Sequence, residues 1–559
     1  MSSYSECAKL TYTIFSNRES EQLILVAVRP RTAIIIGTKS NNNNPVINVT
    51  LKRCPEGFEL SNSTNGFQCS CSPHLTQVYD GITCNISTQT IHRPPAVWIG
   101  YHKTTGRNST NKSGVVLVHP NCPLHYCVST PNNINLVENP DKQCAFNHSG
   151  TLCGACQLKY SLLLGTSVCK HCSNDYYLIL LLAFSVAGIA LLALLFVCNL
   201  TVTEGTIGGL IFYANIIWVN RVIFFPPGTM NILTVFLAWV NLDLGIETCF
   251  YQGMDMYIKT WLQFAFPIYL WGISGLLIFL SNRFIAISRL LGGKPVHVLS
   301  TLFLLAYAKL QRTIIAALSF TYISYPDGHV EYVWLYDANI GYLSTKHIPL
   351  FVVAVLFLVL FLLPYAFVLT FIKCLKAYSH WKLLSWINRM KPIFDAYTGP
   401  YKDQYPFWTD FLLVTRNTLF LIFAFNFTDE PGLNLLSCTL ASLLILVLMT
   451  NLKGIYKKWP LDVLESSFHL NLGIVSVATL YTFSTNGNQG AVIYTFTGIA
   501  FATFTAILLY HILQRIREFN GTQYTQLAPN STTPNALPNL NPNPDNLDNL
   551  DSSNNCEHG

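Results

Sequence analysis

Charge is what this chain lacks first. Only 11% of its 559 residues are Asp, Glu, Lys or Arg, while 51% are hydrophobic; a soluble globular domain carries about 25% charged residues. With a mean hydropathy of +0.36, this composition excludes an ordinary soluble protein and points to the membrane class. The net charge of +6 is small and dispersed, and no nucleic-acid partner is expected.

A secretory leader and a catalytic signature are missing too. The N-terminus, MSSYSECAKLTYTIFSNRES, has no basic stretch followed by an apolar one, so no signal peptide is read there. The expectation is a chain that begins inside a longer protein. There is no GxSxG, HExxH, Walker loop or kinase signature, so neither an enzyme nor a cofactor is expected.

What is present is divided near residue 175. Twelve of the seventeen cysteines precede it: Cys7, Cys54, Cys69, Cys71, Cys84, Cys122, Cys127, Cys144, Cys153, Cys156, Cys169 and Cys172. They are an even number that could pair completely, and the sequons at Asn48, Asn62, Asn85, Asn108, Asn111 and Asn147 lie among them. Cysteines and glycosylation acceptors together describe an oxidised, extracellular head. Two Cys-X2-Cys pairs, Cys153 with Cys156 and Cys169 with Cys172, have zinc-site spacing. Beside a sequon, disulfides are the stronger reading and no metal is expected.

Residues 1–53 alternate apolar and polar in stretches such as LTYTIFS and EQLILVAV and are read as part of a β-module. Residues 54–174 form a loop-rich region held by cross-links. Ten apolar segments follow, near 177–198, 206–225, 230–242, 261–280, 297–322, 348–372, 411–426, 433–450, 467–484 and 490–513. A helix needs about 20 apolar residues to cross a bilayer, and the third segment is only half that long. Ten crossings would put the basic loops with Arg283 and Arg289, with Lys376 to Lys391, and with Lys453 to Lys458 outside, against the positive-inside tendency. About nine crossings remove the conflict if 206–242 makes one net passage, broken at Phe225-Pro226-Pro227.

The fold class expected is therefore an α-helical multi-spanning membrane bundle, with about nine crossings and one half-span, below a β-rich, disulfide-stapled extracellular head. The bundle spans 175–515, and 516–559, rich in Asn, Pro, Ser and Thr, is read as a disordered cytosolic tail. The plasma membrane is the expected location.

Intramembrane charge is the functional signal. Lys309 and Arg312 lie three residues apart, on one helix face, near the middle of the fifth segment. They read either as a polar pathway or ion-sensing face, or as a structural ion pair that locks the bundle. Candidate partners are Asp243, Glu247 and Glu465, and Arg416 is a further intramembrane cation. The loop 373–408 mixes Lys and Arg with Trp381, Trp386 and Trp408. It fits either an anionic inner leaflet or a simple anchor for span ends. Pro364 is expected to kink its helix.

The segments GLIFYANI (209–216), AWVNLDLGIETCF (238–250), KTWLQFAFPIYLW (259–271), TLFLLAYAKLQRTII (301–315), VWLYDANI (333–340), FDAYTGPYKD (394–403) and VLESSFHLNL (463–472) resemble the membrane region of large, mostly uncharacterised invertebrate cell-surface proteins. In those, a long ectodomain, often β-helical, and a cysteine-rich stretch precede the spans. The architecture is also similar to that of transient-receptor-potential-like membrane proteins. The resemblance conveys almost no biochemistry; Lys309, Arg312, Arg416 and the break around Pro226 motivate a channel or transporter of the transient-receptor-potential-like kind, and a receptor or adhesion protein whose glycosylated head binds an extracellular ligand is the alternative.

Overall fold

The computed structural model describes residues 8–16, 19–29, 32–35, 54–102, 116–172, 177–197, 205–219, 232–243, 249–285, 295–370, 395–402, 431–451, 454–485 and 490–527, apart from short gaps inside these ranges and a few isolated residues between them. Contacts divide the chain into a large unit ending at Ile507 and a second from Leu508. Every contact discussed below lies within the first.

The N-terminal β-module is an antiparallel meander of β1 (Ala8–Ser16), β2 (Glu19–Arg29) and β3 (Thr32–Ile35), in register from Ala8↔Ala27 to Ser16↔Glu19. The β-branched alternation of this stretch is what a pleated strand accommodates.

The cysteine-rich region is built from short pieces. In order they are β4 (Phe58–Ser63), β5 (Gly66–Cys71), α1 (Pro73–Val78), β6 (Thr83–Asn85), β7 (Thr90–Arg93), β8 (Trp98–Gly100), β9 (Leu117–His119), β10 (Asn132–Ile134), β11 (His148–Ser149), β12 (Ala155–Cys156), β13 (Tyr160–Leu162) and β14 (Cys169–His171). A small apolar cluster around Leu75, Ile91, Val97, Ile99 and Ile134 forms its centre. So small a core needs cross-links. Disulfides join Cys54–Cys69, Cys71–Cys84, Cys122–Cys127, Cys144–Cys153 and Cys156–Cys169. Arg93, fully buried, adds a polar cross-link: its guanidinium donates to the carbonyls of Val97 (2.7 Å), Val128 (2.8 Å) and Thr130 (3.0 Å) and to Asn132 Oδ1 (2.8 Å).

The sixth disulfide corrects the expectation that the head cysteines pair among themselves. Cys172 is bonded to Cys249, 77 residues on, in the loop before a long apolar helix. Cys7 lies outside the described residues. The two Cys-X2-Cys pairs are both split, because Cys153, Cys156, Cys169 and Cys172 each find a partner elsewhere.

The helical region comprises α2 (Tyr177–Val197), α3 (Thr206–Val219), α4 (Ile232–Val240), α5 (Met256–Ser281) and α6 (Pro295–Leu318), then a hairpin extended to three antiparallel strands, β15 (Phe320–Ser324), β16 (Val330–Trp334) and β17 (Asp337–Gly341), called the outer hairpin because it packs on the head. It continues as α7 (Ile348–Phe357), a π turn at Leu358–Leu362, α8 (Leu363–Thr370), α9 (Pro431–Asn451), α10 (Trp459–Thr485) and α11 (Gly490–Leu527). Six of the described helical stretches are long and apolar enough to cross a bilayer: Tyr177–Phe196, Met256–Ser281, Val296–Leu318, Ile348–Val368, Trp459–Tyr481 and Ala491–Tyr510. The less buried of them carry outward apolar stripes, Leu178, Leu182, Val186 and Ile189 on α2 for example, which is how a helix meets lipid, whereas Val296–Leu318 is mostly buried among the others.

Three boundaries differ from the sequence reading. The fifth apolar segment leaves the helix at Leu318, and Phe-Thr-Tyr-Ile-Ser becomes β15, where its β-branched and aromatic side chains pair with β16. Pro364 is accommodated by the π turn that precedes it. The last helix runs to Leu527, past the expected start of a disordered tail at 516. The seventh apolar segment, most of the loop 373–402 and the chain beyond 527 lie outside the described residues.

Candidate functional site

Two polar assemblies stand out, and one short loop connects them. The first is inside the bundle. α4 ends at Val240, and Asn241-Leu242-Asp243 turns inward, with Leu242 at a positive φ of 51°. Asp243 reaches α6, where Lys309 Nζ donates to its Oδ1 at 2.5 Å, and Trp218 Nε1 at the end of α3 donates to its Oδ2 at 2.6 Å. Arg312, one turn along α6, lies with Nη1 3.9 Å from Asp243 Oδ2 and donates from Nη2 to Asn241 Oδ1 at 3.3 Å. Lys309 is 3% exposed and Asp243 9%. A buried charge of either sign persists only when paired and hydrogen-bonded; Asp243 supplies both to Lys309, and pairs with Arg312 while Asn241 accepts its hydrogen bond. A cavity of about 10 Å³, room for about one water molecule, separates Asp243 and Lys309 from Lys259, Gln263 and Leu164.

Of the sequence candidates, the fold brings Lys309, Arg312 and Asp243 together. It places Glu465 elsewhere, on α10, accepting from Tyr456 Oη at 3.3 Å and facing His469 Nε2 at 3.1 Å. That carboxylate packs against α3 where a side chain at Gly209 would come within 2.5 Å of Oε2. A neighbouring link, Tyr213 Oη to Asn471 Oδ1 at 2.5 Å, ties α3 to α10. Glu247 and Arg416 lie outside the described residues.

The second assembly joins head to bundle. Cys172–Cys249 is its covalent part. Beside it, Gly253 N donates to Ser161 Oγ (2.7 Å) and Leu162 N to the Met254 carbonyl (3.0 Å). Lys259, on the first turn of α5, donates to the carbonyls of Leu163 (3.1 Å) and Thr166 (2.6 Å). The outer hairpin docks from the other side. Thr151 N donates to Asn339 Oδ1 at 3.0 Å, and Ile323, Val333 and Ala338 share an apolar cluster with Trp98, Tyr126 and Leu152. Gly154 packs so closely that a Cβ there would lie 2.7 Å from the backbone nitrogen of Ala338. His102 meets Glu331 at 3.5 Å. Lys259, Cys249, Gly154 and Asn339 carry this joint and were not singled out from the sequence. The placement of Cys249 just after an outward half-span is the signal that could have found it.

Among the sequons, Asn85 and Asn147 are exposed, Asn62 lies in β4, and Asn48, Asn108 and Asn111 lie outside the described residues. Asn147 Nδ2 donates to the Cys169 carbonyl at 3.1 Å. Comparison with protein-family models, curated proteins and solved structures returns no match.

Proposed function

We propose that the chain is a multi-pass plasma-membrane protein of about nine crossings, working as a channel or transporter of the transient-receptor-potential-like kind whose state is set from its extracellular head. The observation that carries this reading is the connection of the two assemblies. The loop clamped to the head by Cys172–Cys249 holds, six residues earlier, the Asp243 that pairs with Lys309 inside the bundle. A displacement of the head therefore pulls on the partner of a buried cation.

The same disulfide supports the topology. Cys249 must face the oxidising compartment with the head, so the chain between α2 and Cys249 makes an odd number of passages, as one net passage of 206–242 requires. The C-terminus is then cytosolic, and the basic loop around Trp381 and Trp386 faces the anionic inner leaflet.

Whole-cell current or ion flux tests the reading. Wild type is expected to conduct under a stimulus that engages the head, and Lys309→Leu and Arg312→Leu to abolish or shift that flux at equal surface delivery. Absence of flux in all three would remove it. A receptor or adhesion protein is the second reading, favoured by the closed state of the charged face, whose cations are already engaged by Asp243 and Asn241. Capture of an extracellular ligand by the full chain, without flux, would support it.

A further inference from the structure

At the joint, His148 occupies an unusual position. Phe146 and Asn147 before it hold left-handed φ values of 53° and 59°, a conformation uncommon for such side chains, and this turns the imidazole into the head. There it stacks on Tyr126, 4.5 Å between ring centres. Both ring nitrogens face carbonyl oxygens: Nδ1 lies 2.8 Å from Cys153 O and Nε2 2.6 Å from Ser167 O. A neutral imidazole has one N–H and one bare nitrogen, whereas both nitrogens donate in the imidazolium. Only the protonated ring makes two hydrogen bonds here.

The ring lines a cavity of about 20 Å³ together with Tyr126, Gly154, Asp255 and Asp337. Asp337 is 5% exposed and opens β17. Its Oδ1 accepts from Asn339 N (3.1 Å) and Nδ2 (2.9 Å). Asp255, the N-cap of α5, contributes a second carboxylate, itself paired with Lys346 at 3.1 Å.

We propose that the head–bundle joint is a proton-binding site, formed around this cavity by His148 of the head and Asp337 of the outer hairpin, that fills as the outside acidifies. It rests on the reading that head and outer loops face one aqueous compartment, and it names the extracellular ligand of that assembly as a proton.

The charges around the cavity are consistent with uptake. Burial first, then repulsion from Asp255, raises the Asp337 carboxyl to about 6, while Asn339 and Lys346 oppose the rise. Burial, with a smaller contribution from Lys259, lowers the proton affinity of His148, and its carbonyl neighbours oppose that. Asp337 is therefore the group that gains a proton as pH falls through about 6. The sign for Asp337 follows from its raised value: its burial is favourable at acidic pH and is lost as pH rises through about 6. His148, whose affinity is lowered, works the other way, but the larger shift is that of Asp337, and through it acid tightens the joint.

Amide exchange of the full chain in lipid nanodiscs, corrected for intrinsic pH dependence, tests this. In wild type, residues 145–172 and 330–341 are expected to exchange several-fold more slowly at pH 5.5 than at pH 7.5. Asp337→Asn, which mimics the protonated acid, is expected to be slow at both. Asp255→Asn keeps the helix cap and removes a charge that raises Asp337, so its transition should move to lower pH. A pH-independent wild type, an Asp337→Asn that keeps the step, or an Asp255→Asn with an unmoved midpoint each overturns the site. Should Asp337→Asn fail to fold, the Asp255→Asn shift decides alone. Because exchange is read and not flux, failure here leaves the channel reading to its own test, and the reverse holds too.

Discussion

Asp243 carries more of the buried electrostatics than any cation does. It accepts from Trp218 and Lys309 and sits beside Arg312, so its loss takes the same carboxylate from two positive charges at once. Asp243→Asn is expected to cost about 3–5 kcal/mol, the usual penalty for removing one partner of a buried pair, read as a fall in the thermal midpoint in detergent. The double variant Asp243→Leu with Lys309→Leu should recover the share that belongs to Lys309, since a buried pair is often replaceable by apolar side chains, while Arg312 still lacks the carboxylate. If the double variant is stable and still conducts, the pair is a lock and not a pathway. Lys309, Arg312 and Asp243 were legible from sequence because charge is rare inside apolar segments. The pairing was not legible: Glu465 carries the same charge, and only the inward turn at Leu242 decides that Asp243 meets α6 and Glu465 does not. Glycine works by the same near-range logic at Gly154, where Ala is expected to cost about 1–3 kcal/mol. The backbone of Ala338, 2.7 Å from the added methyl, cannot rotate away as a side chain would. The measurement is again the thermal midpoint, with Gly272→Ala, which meets nothing within 4 Å, as the comparison.

Among elements, the outer hairpin and the 249–255 loop do the connecting. Hydropathy read 297–322 as one continuous segment because Phe320, Tyr322 and Ile323 are as apolar as the helix before them. Apolar content alone cannot distinguish a helix end from a strand that docks on another domain. The hairpin's alternation becomes visible only with its partner: Ile323 and Val333 face the head while Tyr322 and Tyr332 face outward. The shortness of 230–242 was legible from the sequence, and among the described residues it forms α4, nine residues long. Cys249→Ser would open the longest covalent loop among the described disulfides, 77 residues, for which chain entropy assigns about 4 kcal/mol. The expected outcome is a lowered thermal midpoint, one new thiol, Cys172, titrated by an impermeant maleimide, and faster amide exchange in 249–255. Unchanged exchange there would mean that Lys259, Ser161 and Leu162 hold the joint without the disulfide.

For the whole molecule, orientation follows from a few covalent and contact facts and not from hydropathy. α2 leads away from the head, yet Cys249, Lys259 and Asn339 all return to it, so two loops widely separated in sequence share the compartment of the cysteine-rich region. Once α2 has crossed, a segment that returns must cross an odd number of times more, and this parity counts passages more firmly than apolar length does when a segment is broken by Pro226 and Pro227. Glycosylation reads the same parity independently. A sequon placed in the exposed turn at Gly328–His329 between β15 and β16 is expected to gain a glycan in cells, as are Asn85 and Asn147. The sequons at Asn520 and Asn530 are expected to stay bare if the proposed nine crossings hold, since these would put the C-terminus in the cytosol, where no transfer occurs. Endoglycosidase-sensitive mass on Asn520 or Asn530 would require an even number of crossings. The added or missing passage would then lie after Asn339, because Cys249 and Asn339 fix the side of the loops before it.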